Sequence, residues 1–388
     1  RCPVQNAEKG SIAAAIAALQ RGDAAEARSR LDEHLALHRD DARAWLLLAR
    51  ALGALGEQTT QGAAIDRALE LQPRDLTALL AKADFLASNN DLRGGSAYYR
   101  AALQAMPRFD QLPPHLQNGL RRAKAAQEKL AHELDEYVRE TLSRDGWLSA
   151  DAPMRFRNAV DLLLGKRRVY AQEPRFLYYP GLPLVEFFPR EQFPWLDEVE
   201  AATPAIREEV RHLTDAAFRP YVTRTLGRPK AESALLNNPN WSALFLHRDG
   251  ERQPAADLCP NTMSALSNAP LTDIPGRAPS ILFSRLAAGA HIPPHTGVLN
   301  ARLICHLALV APHGCELRVG NETQVWKEGK AWVFDDSIEH EARNASDSDR
   351  YILLFDIWRP ELSDDERGAI SALCAAIDEY CGKAAWDA

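Results

Sequence analysis

The runs ILFSRL (Ile281–Leu286), LICHLALV (Leu303–Val310) and FDDSIEH (Phe334–His340) frame the stretch that decides the fold of this 388-residue chain. The first two are short, mostly apolar and set off by Gly, Pro and Asn, which is how antiparallel strands read, and the third leads from the end of a strand to a histidine. Leu317–Val319, Val325–Trp326, Ala331–Phe334 and Tyr351–Trp358 extend the pattern into a β-sandwich or barrel. Gly320-Asn321 and Glu328-Gly329 sit where hairpins would reverse, because glycine accepts positive φ without steric cost. Upstream, Phe176 to Leu213 passes from a Pro-rich entry into a helix-like run, Trp195–Leu213, expected to pack outside the sheet.

Six of the eleven histidines fall in or near this stretch: His247, His291, His295, His306, His313 and His340. His295 follows Pro293-Pro294 and precedes Thr296-Gly297, at a turn between two expected strands. His340 closes the Phe334 run at the mouth of a strand. Two imidazoles brought together from opposite ends of a small barrel suit iron, copper or zinc, which neutral nitrogen binds well. A hydrogen-bonded core histidine is the commoner role, and His291 and His313 are read as non-ligands.

The first 145 residues have a different texture. Pro73 and Pro107 lie 34 residues apart, the tetratricopeptide period, and Ala49/Ala83, Ile65/Tyr99 and Ala68/Ala102 recur in step with them. Small residues at that spacing let antiparallel helices cross closely. A weaker copy fits Ala15, Ala27 and Leu31, giving about three repeats over residues 8 to 109. They resemble the tetratricopeptide family, although Gln61 and Gly95 stand where a small Ala is often found. The segment His115 to Leu142 suits a capping helix. The domains are therefore expected at 1–145, all-α, and 146–388. The first is read as either a spacer or a surface recruiting a protein or peptide.

Composition removes several function classes. With 46 basic against 53 acidic residues the net charge is −7, so no chain-wide basic footprint exists for nucleic acid. Lys166-Arg167-Arg168 reads as a solvated loop. No apolar run approaches the ~18 residues needed to span a bilayer, so no membrane partner is expected. Six scattered cysteines without a Cys-X-X-Cys pair argue against a disulfide scaffold or structural zinc, and point to reduced thiols in the cytoplasm. The chain opens Arg1-Cys2, so a removed targeting segment is left open.

The runs Phe283-Ser284-Arg285, Gly289, His291, His295-Thr296-Gly297, Asn300 and Arg302–Leu307 resemble the aspartyl/asparaginyl β-hydroxylase family. The likeness continues through Gly314-Cys315, Val319–Glu322, Trp326, Phe334–Ser337, Glu339–Glu341, Arg350 and Asp356–Leu362, and weakly back through Asn240-Trp241 to Tyr178–Pro183. It implies an α+β multidomain chain: a tetratricopeptide solenoid followed by a double-stranded β-helix (jelly-roll, cupin-like) oxygenase domain with flanking helices. It also implies Fe(II), 2-oxoglutarate as cosubstrate, and O2. His295 and His340 are the implied metal ligands and catalytic centre. Gly297 stands where related oxygenases carry a carboxylate ligand, and the family's own pattern has glycine there too.

For the cosubstrate, the resemblance implies Arg350 and Ser284 on the distal carboxylate, His306 near the metal-binding end and Trp241 as a wall. Arg302 is the candidate contact for a substrate carboxylate or amide, while Ile304 stands where some members bear a second arginine. Asp335 and Asp336 are read as turn residues orienting a histidine, with replacement of the missing carboxylate ligand by either as the alternative. Structural readings stand beside these: Ser284 satisfying a strand end, His306 in the core, Arg350 paired with Asp347. The leading function is β-hydroxylation of an Asp or Asn residue in a protein or peptide, with the repeats presenting it, releasing succinate and CO2. Halogenation, hydroxylation of another substrate such as a lipid acyl chain, and a non-catalytic repeat-bearing adaptor are the alternatives.

Overall fold

The computed structural model describes residues 3–106, 109, 112–149, 151–213, 217–222 and 236–382. The chain forms two compact units, Arg1–Lys166 and Arg167–Ala388. The division falls later than the expected 145/146, because a further helix joins the first unit.

That unit is a run of helices: α1 (Pro3–Arg21), α2 (Ala24–Leu37), α3 (Ala42–Ala54), α4 (Gln58–Leu71), α5 (Leu76–Ser88), α6 (Leu92–Ala105), α7 (Pro114–Arg144) and α8 (Met154–Leu163). Asp23, Asp41, Asp75 and Asp91 cap α2, α3, α5 and α6, each accepting from the backbone N–H three residues on. Each such cap contributes about 1 kcal/mol. Ala15, Ala49 and Ala83 are buried at the repeat spacing, as are Leu31, Ile65 and Tyr99. A Cβ on Gly95 would come 3.2 Å from the Ala83 carbonyl oxygen, so glycine serves a close crossing. The bulk of Gln61 is accommodated opposite Gly53, which has no side chain to meet it. This is a helical-repeat architecture of tetratricopeptide type; Pro107 lies outside the described residues. The first turns of α7 close the stack, through buried Gly119, Leu120 and Ala123.

The second unit carries α9 (Leu196–Ala201) and α10 (Thr203–His212), then β1 (Arg219–Pro220), β2 (Trp241–Arg248), β3 (Glu251–Arg252) and α11 (Pro260–Ala265). The strands β4 (Ile281–Leu286), β5 (His291–His295), β6 (Arg302–Val310), β7 (Cys315–Val319), β8 (Glu322–Val325), β9 (Ala331–Phe334), β10 (His340–Asn344) and β11 (Arg350–Trp358) follow, then α12 (Asp364–Cys381). One sheet has the order β1-β2-β4-β11-β6-β9 with β3 beside β2, and a smaller one runs β5-β10-β7-β8. Every named pairing is antiparallel.

Several expectations are corrected. Pro293-Pro294 belong to a strand, not a turn: β5 is a sheet edge, where proline's missing N–H costs no ladder bond. Gly320-Asn321 does close the β7–β8 hairpin, but Glu328-Gly329 carries the chain from the small sheet to the large one. The expected helix Trp195–Leu213 is two helices, with Pro204 in the first turn of α10.

Period-two alternation sorts the side chains. On β6, Leu303, Cys305, Leu307 and Leu309 face a core shared with Leu196, Val199, Ile206 and Val210 of α9 and α10. The alternate residues Ile304 and Ala308 join a second core with Leu317, Val319, Ile292 and Ala342 of the small sheet. Arg302 and His306 of β6, Ser284 of β4 and Arg350 of β11 share that inner phase. Polar residues on an otherwise apolar inner face mark the site.

Candidate active site

His295 and His340 are cross-strand partners in the β5–β10 ladder. Side chains opposite one another in an antiparallel pair lie on the same face, and the two ring centroids are 4.2 Å apart. Both rings are tied down the same way. His295 Nδ1 bonds the Pro293 carbonyl at 2.8 Å and His340 Nδ1 bonds the Ile338 carbonyl at 3.0 Å, each two residues upstream. A carbonyl only accepts, so each Nδ1 carries the proton and each Nε2 keeps its lone pair. Burial pushes His295 down to about 3, with the neighbouring His340 adding to it, and burial pushes His340 down to about 4. Both rings are neutral at pH 7, the state a metal ligand requires.

Gly297 supplies no ligand, and the space beside it is filled: a Cβ there would overlap the Asp336 carboxylate. Asp336 is held by Arg302 Nη2 at 3.3 Å, and Arg302 Nη1 donates to Asp356 at 2.6 Å. Its Oδ1 has no partner among the described residues, and burial raises its pKa. Asp335 is fully engaged, by Arg359 at 2.8 Å, Gln172 at 2.7 Å and Ser337 at 2.5 Å. Among the described residues, no cluster of three His, Cys, Asp or Glu side chains forms. The donor set is thus two imidazoles.

Deeper between the sheets, Arg350 is 1% exposed. It donates to Ser284 Oγ at 3.3 Å, and its guanidinium carbon lies 4.8 Å from the Trp326 ring centre. It has no carboxylate partner among the described residues, and its Nε is unpartnered. Burial pushes it down to about 10. The alternative pairing with Asp347 is not formed. Trp241 joins the two ends of the site, since its Nε1 donates to Ser284 Oγ at 3.3 Å and its ring lies 6.0 Å from that of His295. His306 packs on Phe334, centroids 4.8 Å apart, with Nδ1 unpartnered. Burial first, then Arg350 and His340, drive its pKa well below the usual value.

All seven candidate residues therefore gather on one inner surface. Arg302 does so with its guanidinium already against two carboxylates. His291 instead pairs with Glu341 on an exposed face. Sequence reasoning gave no site role to Trp326 beneath Arg350, nor to Tyr221, stacked 4.2 Å from Trp241. Trp326 stood in a motif run and was findable; Tyr221 lies in no patterned segment. A cavity of about 610 Å³ lies elsewhere, lined by Arg219, Phe245 and Gln253 among others, and contains none of these residues.

Residues 200–360 match the family described as Aspartyl/Asparaginyl beta-hydroxylase. The human protein named aspartyl/asparaginyl beta-hydroxylase is 40% identical over 136 residues, 34% of this chain and 18% of that protein. Ornithine lipid ester-linked acyl 2-hydroxylase of Rhizobium tropici is 34% identical over 173 residues, 43% of this chain and 58% of that protein. The chain spans less than two thirds of the length of either. The Yersinia enterocolitica type III secretion chaperone SycD, solved with a peptide of the translocator YopD, covers 33% of this chain and 95% of its own. At 14% identity and a TM-score of 0.30 that likeness decides nothing about partners. The family match takes in every strand from β1 to β11 together with both histidines and Arg350, so it is the part of the chain that carries the site that is similar to the aspartyl/asparaginyl β-hydroxylase family.

Proposed function

We propose that the second unit is an Fe(II)- and 2-oxoglutarate-dependent dioxygenase on a double-stranded β-helix, hydroxylating the β-carbon of an Asp or Asn residue in a protein or peptide. The β-helix reading is supported by the path of the chain: β4, β6, β9 and β11 lie in one sheet and β5, β7, β8 and β10 in the other. The observation that carries the function is Arg350, a buried guanidinium without an anion, beside Ser284 and on the same inner surface as two neutral histidines. A lone buried charge is strongly unfavourable, and a dicarboxylic cosubstrate supplies what it lacks.

His295 and His340 would hold the iron through their Nε2 atoms. Bound iron supplies the oxidising chemistry, coupling decarboxylation of the 2-oxo acid to succinate with insertion of oxygen from O2 at an unactivated C–H bond. Arg350 and Ser284 bind the distal carboxylate, the guanidinium offering the paired N–H donors that fit it. Trp241 walls the space between them and His295. His306, neutral and unpartnered, offers its ring to the cosubstrate end nearer the histidines. Arg302 orients Asp336, and Asp336 fills the place beside Gly297 where a halide would need to stand, which disfavours halogenation.

Recruitment of a protein substrate is the role assigned to the repeats, and their helical-repeat architecture is consistent with it. No helix among the described residues is long and apolar enough to cross a membrane. The free buried thiols of Cys259, Cys305, Cys315 and Cys374 support a reducing compartment such as the cytoplasm.

The test is anaerobic titration of protein and Fe(II) with 2-oxoglutarate, followed by aerobic incubation with candidate peptides. A weak visible charge-transfer band, succinate release and a gain of one oxygen on Asp or Asn are expected. An iron-loaded protein that gives neither band nor succinate supports the adaptor reading, and oxygen gained on a lipid acyl chain instead overturns the substrate assignment.

A further inference from the structure

We propose that Gln172 is a positioning residue that sets the separation of His295 and His340; this rests on the reading above of those two rings as a metal-holding pair. β5 ends at His295 and β10 begins at His340, so the pair is the last rung of its ladder. β5 has no second neighbour in its sheet, and its register with β10 is irregular between His340 and Ala342. Strand pairing therefore holds His295 from one side only, at the point where a ladder opens most readily. Beyond the rung, Gly297 N–H donates to the Asp336 carbonyl at 2.6 Å, and a short strap, residues 172–177, lies between the two departing chains. On the His340 side Gln172 bridges to Ile338, and Glu173 N–H donates to the Ser337 carbonyl at 2.8 Å. On the His295 side Arg175 N–H donates to the Gly297 carbonyl at 3.0 Å and Phe176 N–H to that of Val298 at 2.8 Å.

The buried side chain of Gln172 joins the same two chains a second time. Its Nε2 donates to Asp335 Oδ2 at 2.7 Å and to the Pro183 carbonyl at 3.2 Å, while its Oε1 accepts from Asn300 Nδ2 at 3.0 Å. Carboxylate and carbonyl only accept, so the amide is fixed with its nitrogen toward Asp335 and its oxygen toward Asn300. Asp335 lies five positions before His340, and Asn300 five after His295. Each is anchored independently of Gln172. Asp335 accepts from Arg359 at 2.8 Å and from Ser337, and Asn300 accepts the Tyr179 N–H at 2.6 Å and donates to the Tyr179 carbonyl at 2.9 Å. The carboxamide thus spans two built supports, with a donor at one end and an acceptor at the other. Neither a carboxylate nor an apolar side chain offers both. A working site needs its ligands held to within about 0.5 Å, so a bridge across the open end of this ladder bears directly on whether both imidazoles reach one ion.

The experiment loads the full chain with Cu(II) and reads pulsed electron paramagnetic resonance, in which the remote imidazole nitrogens distinguish one ring on the metal from two. Wild type is expected to show two rings, and His340→Ala one. Gln172→Met removes the hydrogen bonds at similar bulk. Gln172→Asn keeps the amide but is a methylene too short to span both supports, and it carries the test should the methionine variant not fold. Either variant, shown by thermal unfolding to be folded at the temperature used, is expected to bind Cu(II) about tenfold more weakly by calorimetry and to move toward the one-ring spectrum. Unchanged affinity or an unaltered two-ring spectrum in a folded variant overturns the proposal while the metal pair stands; Gln172 is then a structural residue whose loss registers only in the melting temperature. A wild type showing one ring or none sinks the metal-pair reading itself.

Discussion

Replacing Arg350 with methionine separates the two ways of reading a buried arginine. Burial holds this guanidinium near 10 instead of 12.5, equivalent to about 3 kcal/mol against its charged form. The substitution removes that burden together with the 3.3 Å bond to Ser284 and the contact with Trp326, together about 2 kcal/mol. The ligand-free protein is then expected to melt at the same temperature or a few degrees higher, since 1 kcal/mol moves a domain of this size by about 2–4 °C. Cosubstrate binding goes the other way. A charge-assisted, desolvated pair contributes about 3–5 kcal/mol, so affinity should fall by at least about 100-fold. The assay is thermal unfolding with Mn(II), with and without 2-oxoglutarate. At one hundred times its Kd the ligand stabilises wild type by about 2.7 kcal/mol, and Arg350→Met should show no such shift. A variant several kcal/mol less stable without ligand means that Arg350 serves a structural ion pair, and a variant still stabilised by 2-oxoglutarate refutes the assignment outright.

Three further outcomes follow from the geometry. Because burial keeps His295 near 3 and His340 near 4, Mn(II) affinity by calorimetry should change less than about threefold between pH 7.5 and 5.5; two imidazoles at the ordinary 6.5 would lose about 100-fold. The metal-free fold does respond to pH over this range: the folded values lie below the unfolded ones, so the unfolded chain binds more protons and stability falls as pH drops from about 6.5 toward 4. His340→Gln should flatten that slope in denaturant titrations. Gly297→Ala drives a methyl into Asp336 and should cost about 1–3 kcal/mol, with Asp336→Gly in the same chain recovering most of it; strictly additive losses would show that the two positions do not meet. Asp75→Ala removes the cap on Ala78 N–H and should destabilise the helical unit by about 1 kcal/mol while leaving 2-oxoglutarate affinity untouched.

The helical repeats were legible because each unit packs on its neighbour, so the spatial contact and the sequence period are the same number. The central strands were legible for a related reason: β6 and β11 are buried on both faces and read as mostly apolar runs. The edges were not. β10 reads HEARN, with Glu341 and Arg343 turned outward, and β5 contains two prolines, so neither looks like a strand although together they hold the two histidines. β2 was missed because its lone motif, Asn240-Trp241, marks only its start. Side-chain pairing was least legible of all. Nothing local in the sequence says that Arg302 meets Asp356, 54 positions away, and is thereby committed before any substrate arrives.

The adjacent acids Asp335 and Asp336 show how the fold divides one motif into two duties. Asp335 has both oxygens engaged: Ser337 N–H and hydroxyl on one, Gln172 and Arg359 on the other. It therefore ties the Phe334–His340 turn to Gln172, and has no acceptor capacity to spare for a metal. Asp336 shares Arg302 with Asp356 and keeps Oδ1 buried and unpartnered beside His295. Leaving a buried acceptor unmade costs about 1–3 kcal/mol. Glycine at 297 follows from this arrangement: any side chain there would evict Asp336, so the same missing Cβ that withholds a third ligand makes room for the Asp336 carboxylate.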